Sequence, residues 1–120
     1  MHRHYLSWGF AQSFHRSCLM ISPALPLQTQ HRLLRSVELM LQSFARGLRS
    51  KSESPEQARC FATALLTLRD CRETLEESGN WVPHTDCVQR YEVLHSRLEV
   101  LCWDSASGEH GQLPFPGMGV

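Results

Sequence analysis

The chain has 120 residues, no net charge, 42% hydrophobic and 20% charged residues. That is one domain's worth of sequence with an ordinary soluble balance, which speaks against wholesale disorder and against a large multi-domain enzyme. The charge is uneven: residues 1–51 carry seven Lys/Arg and one acidic residue, whereas residues 52–120 carry five Lys/Arg and eleven acidic residues. A basic first half packing against an acidic second half accounts for this inside one molecule, and the acidic half opposes a nucleic-acid surface.

Residues 1–29 hold Arg3 and Arg16, several serines, bulky aromatics and no acidic residue. Leu6, Phe10 and Phe14 recur every four residues, so residues 5–18 can form a short amphipathic helix. The composition suits a mitochondrial presequence or a flexible N-terminal extension. Gly9 weakens the helix. Pro23 and Pro26 mark a boundary and interrupt the one apolar stretch suited to a secretory signal. Nothing approaches the ~20 apolar residues of a membrane helix, so no membrane span is predicted.

Leu34, Val37, Leu41, Phe44 and Leu48 then repeat at three and four residues, with Leu33 and Met40 beside them. This predicts a helix over residues 30–49. Gly47 reads as unremarkable, at an end expected to fray. Arg46, Arg49 and Lys51 complement the helix dipole. Leu39 falls on the opposite side of the stripe. The short polar link 50–53 makes the next helix antiparallel. Ser52 and Ser54 are candidate phosphosites there, since Ser52 follows Arg49 by three and Ser54 precedes a proline.

The clearest helix is predicted over residues 55–78. Ser54 is its N-cap, Pro55 its first residue, and Gln57 completes a capping box by reaching back to the Ser54 N–H. Ala58, Phe61, Leu65, Leu68 and Leu75 form its stripe, with Ala64 and Cys71 alongside. Gly79 ends it. Arg72 interrupts the stripe; its stem covers the core while its head reaches water or Glu76. In the loop that follows, Trp81 either plugs one end of the bundle or anchors a partner.

Cys87, Tyr91, Leu94, Leu98 and Leu101 predict a third helix over residues 85–103, with Thr85 as N-cap. Val93 and Val100 lie off its stripe. The tail, residues 104–120, is rich in Gly and Pro and is predicted disordered; Leu113, Phe115 and Met118 offer a short docking motif at most.

Reactive chemistry finds little support. The five cysteines are odd in number and show no CxxC pair; they read as small buried hydrophobes in a reducing compartment. His84, Cys87, His95 and Cys102 match no compact zinc spacing, and two of them, fifteen residues apart, stand about 22 Å apart along one helix. Cys87 near a helix start, with His84 before it, is the best-placed nucleophile, but no oxyanion loop accompanies it. No phosphate-binding glycine loop occurs. No catalytic residue, cofactor or metal is predicted.

These observations predict an all-α fold, an antiparallel three-helix bundle of heptad-like, coiled-coil spacing. Its helices span about 30–49, 55–78 and 85–103, flanked by flexible extensions at 1–29 and 104–120. The function expected is non-enzymatic: an interaction module, scaffold or small subunit of a larger intracellular assembly, cytoplasmic or nuclear. Its partner is a helical protein or a second copy, met through Leu39, Trp81, Val93 and Val100. An imported mitochondrial accessory factor is the first alternative. A weak nucleic-acid binder using Arg32, Arg35, Arg46 and Arg49 is the second. Both ends read as less domain-like than the middle, as in one version or fragment of a longer protein.

Overall fold

A computed structural model describes residues 2–107 of the chain, with side chains from residue 6 to residue 106. Four helices run in order: α1 (His2–Ile21), α2 (Leu27–Arg49), α3 (Pro55–Glu77) and α4 (Thr85–Ser107), with a single 3-10 turn, Ser22–Ala24, between the first two. Among the described residues no strand occurs. Each helix packs against the next, and α4 closes the ring by packing against α1; α1 does not approach α3, nor does α2 approach α4. The result is an antiparallel four-helix arrangement around one core, where the sequence predicted three helices.

The added helix is α1. Its inner face is Ser7, Ala11, Phe14, Cys18 and Ile21, all buried, at the alternating spacing of four and three that a core-facing helix requires. The predicted N-terminal extension is therefore largely a bundle element. Pro23 and Pro26 shape a tight corner instead of a domain boundary. Pro23 lies in the 3-10 turn, Leu25 is buried at 7% exposure, and Pro26 stands just before α2. In turn α2 begins at Leu27, three residues earlier than predicted.

The fourth helix also rotates the buried face of α2. Leu33, Val37, Met40 and Phe44 are fully buried, while Leu34, Leu41 and Leu48 are only partly covered. Ser36 and Gly47 join the buried set because α3 lies against them. At Gly47 the approach is close: a Cβ there would stand 2.6 Å from Cε1 and 2.7 Å from Cδ1 of Phe61. Gly47 is thus where the Phe61 ring rests on the α2 backbone, and α2 stays helical through Arg49.

The start of α3 follows the sequence closely. The Ser54 hydroxyl accepts from the Gln57 N–H at 3.1 Å. The return bond differs: Gln57 Oε1 accepts from the Glu53 N–H at 2.9 Å, and Gln57 Nε2 donates to the Gly47 carbonyl at 3.0 Å. One side chain thereby ties the end of α2 to the start of α3. Gly79 ends α3 at φ 75°, a left-handed conformation that costs glycine little, and the Asn80 N–H donates to the Leu75 carbonyl at 2.8 Å. Ala58, Phe61, Ala64, Leu65, Leu68, Cys71 and Leu75 are all buried on α3, and Cys87, Tyr91, Leu94, Leu98 and Leu101 on α4. Helix α4 continues past residue 103 to Ser107. Leu113, Phe115 and Met118 lie outside the described residues.

Candidate interaction surface

Two of the four predicted partner-facing residues share a seam, one stands on the far side, and one is in the core. Trp81 is corrected to a core residue: it is 7% exposed, and its ring meets Tyr91 edge-on at 5.1 Å. The Arg72 guanidinium covers both rings, 5.2 Å from the Trp81 centroid and 5.6 Å from that of Tyr91, and its Nε donates to Glu76 at 3.0 Å. This is the end plug anticipated for Trp81 and the covering role anticipated for Arg72.

Leu39 is 44% exposed. With Leu66 it edges a cleft of about 520 Å³ between α2 and α3, beside His31, Arg32 and Arg35. The polar side of that cleft is tightly tied. Arg32 donates to Asp70 at 2.9 Å and to Glu77 at 2.8 Å, and lies 3.6 Å from Glu73; the Ser36 hydroxyl also donates to Asp70. Burial alone would push the Asp70 carboxyl up. The Arg32 and Ser36 hydrogen bonds outweigh it and hold the group below the usual carboxylate range. Here the basic first half of the chain meets the acidic second half inside one molecule.

Val93 and Val100, 45% and 55% exposed, lie on the opposite side, where α4 borders α1. Two contacts set the antiparallel register of that pair. Arg90 donates to the Ser13 hydroxyl, and the Arg97 guanidinium lies 5.6 Å from the centroid of Phe10. This register brings Phe10 beside Val93, where the two edge a cleft of about 280 Å³. It also brings Leu6, half exposed, level with Val100. Met20, exposed on the same side of α1, extends the strip to the other end. The cleft sets Ser13, Asp86, Gln89 and Arg90 beside Phe10 and Val93, so its wall carries apolar, polar and oppositely charged side chains. Helix α1 contains no acidic residue. Glu92 and Glu99 of α4 turn toward α3, 4.0 Å from Arg72 and 3.8 Å from Arg69, whereas Asp86 lines the same cleft as Phe10 and Val93 and accepts from Arg90 at 2.8 Å.

Sequence reasoning singled out Val93 and Val100 because they stand off the α4 stripe. It missed Leu6 and Phe10 as their neighbours, since α1 was not placed in the bundle. The i, i+4 spacing of those two residues was the available signal.

The thiols are buried and unbridged, all five of them. Cys18, Cys71 and Cys87, on α1, α3 and α4, are buried in the same core. His84 is tied to the α3–α4 loop: its Nδ1 is 2.9 Å from the Asn80 carbonyl oxygen. Among the described residues no group of three or more His, Cys, Asp or Glu side chains is arranged to hold a metal ion, and no helix is long and apolar enough to cross a membrane. Ser52 is exposed in the α2–α3 link, whereas the Ser54 hydroxyl is engaged as the α3 cap. No protein-family model, no curated protein and no solved structure matches the chain.

Proposed function

We propose that this protein is a helical interaction module whose α1–α4 seam receives an amphipathic helix from another protein. One observation carries the reading: Phe10 and Val93 edge a cleft between α1 and α4, and Leu6 and Val100 are exposed apolar residues of the same two helices. Such a groove takes the apolar face of a third helix at positions i, i+3, i+4 and i+7.

The border of the strip defines the partner's charge. Arg90 stands paired with Asp86 and Arg97 covers Phe10, so the fitting helix is apolar on one face and carries mixed charge at its margins. Opposite charge across an interface speeds encounter and fixes register more than it deepens affinity. A nucleic-acid role through the arginines of α2 draws less support, because Arg32 is already held by three carboxylates.

The test pairs two surface variants in quantitative affinity capture from the cells that express the protein. V93E/V100E places carboxylates on the strip; Leu39→Glu alters the opposite face. The reading expects the first to lose a set of captured proteins that the second retains. Equal capture by the two variants and the wild type refutes it. Sedimentation of the purified chain shows whether the captured helix is a second copy.

A further inference from the structure

The α2–α3 seam lies opposite the α1–α4 groove in the ring of helices, and the docking reading does not use it. Near the link it holds a cleft of about 320 Å³, lined by Ser43 and Arg46 from α2 and by Glu56, Arg59, Cys60 and Thr63 from α3. The sequence builds this arrangement directly. Ser43 and Arg46 are three residues apart on α2, and Arg59 and Thr63 are four apart on α3, so each helix turns an arginine and a hydroxyl to one side. The antiparallel register is held where Gly47 meets Phe61 and Cys60, and where Gln57 bonds the Gly47 carbonyl at 3.0 Å. That register sets the two arginines on facing walls of one cleft. All four donors stand on helices.

These arginines differ from the others at helix contacts. Arg32, Arg69, Arg72 and Arg90 lie 2.9, 3.8, 3.0 and 2.8 Å from carboxylates. Among the described residues, neither Arg46 nor Arg59 forms an ion pair, and the Ser43 and Thr63 hydroxyls make no hydrogen bond. Both guanidinium groups stay charged across the physiological range, and two like charges on one cleft repel until an anion stands between them. Glu56 is the one acid among the lining residues, so two cations face a single anion.

We propose that this cleft binds a phosphoryl group, as inorganic phosphate or as a small phosphomonoester. Arg46 and Arg59 donate to its oxygens from opposite helices, and the Ser43 and Thr63 hydroxyls donate to those that remain. A tetrahedral oxyanion offers a separate edge to each guanidinium fork, whereas a planar carboxylate satisfies only one. The cleft is larger than a phosphoryl group, so an ester substituent has room beside Cys60. Glu56 repels a dianion at this place, which makes its removal diagnostic.

The experiment titrates the isotope-labelled full chain with inorganic phosphate, at constant ionic strength in chloride, and follows amide shifts by NMR. A second titration uses free phosphoserine. Saturable shifts are expected around residues 43–47 and 56–63. Arg46→Gln and Arg59→Gln should each weaken binding roughly tenfold, because a charge-assisted hydrogen bond is lost. Glu56→Gln should tighten it by about a few-fold. Arg35→Gln removes the same charge from the other α2–α3 cleft and should leave binding unchanged. All four substituted side chains are exposed, so the fold is retained. Tighter binding of phosphoserine than of phosphate makes a phosphomonoester the ligand, and the reverse makes it inorganic phosphate. Shifts that do not saturate, shifts spread over all surface cations, equal weakening by Arg35→Gln, or weaker binding in Glu56→Gln overturns the proposal.

Discussion

Two single alanine substitutions should move stability in opposite directions, and the structure sets both signs. In each case a helical glycine becomes alanine, which favours the helix by about 1 kcal/mol. At Gly9 nothing lies within 4 Å of the new methyl group. Gly9→Ala should therefore stabilise the protein by roughly that amount, or about 5 °C in Tm for a chain of this length. At Gly47 the same methyl would meet two ring atoms of Phe61 inside 2.7 Å and the Cys60 Cβ at 3.2 Å. The ring has no free direction: Phe61 is 1% exposed and stands edge-on to Phe44 at 5.7 Å. Overpacking a filled core costs about 1–3 kcal/mol. The 2.6 Å approach places this site at the upper end, so the propensity gain is outweighed and Gly47→Ala should lose about 1–2 kcal/mol net. Moving α2 away from α3 would also stretch the bond from Gln57 to the Gly47 carbonyl. Thermal and urea denaturation followed by circular dichroism measure both variants. A Gly47→Ala protein that melts at or above the wild type would refute the close α2–α3 approach and the place of Phe61 in it.

Phe14→Ala removes a fully buried ring from α1 and should cost about 3–5 kcal/mol; a loss under 1 kcal/mol in urea titration would mean that α1 does not pack as described. His95 accepts from Arg69 Nε at 3.1 Å, and burial, with help from Arg69 and Arg72, holds its imidazole below the ordinary value against the pull of Glu99 and Glu92. A depressed folded value means that the unfolded chain binds the proton first. The contribution of His95 is then present above about pH 6.5 and is lost as pH falls from there through the folded value. The urea midpoint should drop over that window in the wild type and drop less in His95→Gln; parallel profiles would remove the assignment. Asp70 is also depressed, so its contribution is present above about pH 4 and is lost as pH falls through its lower folded value. Asp70→Ala should cost ~1 kcal/mol or less at neutral pH, since the carboxylate is partly exposed, and should flatten the acid limb of the stability profile; an unchanged limb contradicts the Arg32–Asp70 clamp.

The helices that were legible in the sequence carry their signals in large or unambiguous residues. Helix α3 has a cap, a proline, a run of leucines and a terminal glycine, and its boundaries agree with the structure to one residue. Helix α2 was legible in kind but not in register, because the buried face of a helix depends on how many neighbours it has. Leu33 and Met40 read as flanking positions when two partners are assumed and become central once α1 arrives. Gly47 could not be read at all: a glycine near a helix end looks the same whether it frays or seats an aromatic ring. Helix α1 was hidden by composition. Its buried face has Ser7, Ala11 and Cys18 where a reader looks for leucine, while Leu6, Leu19 and Met20 face outward. The candidate surface divides the same way. Val93 and Val100 stand out on α4 without any knowledge of packing, whereas the groove they edge needs α1.

The docking reading therefore depends on α1 remaining part of the molecule. An import reading, in which residues 1–29 are removed, meets a specific energetic obstacle. The segment holds the buried side chains of Phe14, Cys18, Ile21 and Leu25. Without them, the inner faces that α4 and α2 turn toward α1 would meet water. Each large apolar side chain that returns to water costs about 1.5–3 kcal/mol, and a domain of this size has only about 5–15 kcal/mol in total. Uncovering a handful of such residues on both sides of the new gap consumes that margin. Cleavage is compatible with a folded bundle only where another helix takes the vacated place. Such a helix would have to supply small residues opposite α4 at the positions of Ser13 and Ser17, and an aromatic ring at that of Phe14, which meets Tyr91 at 6.0 Å.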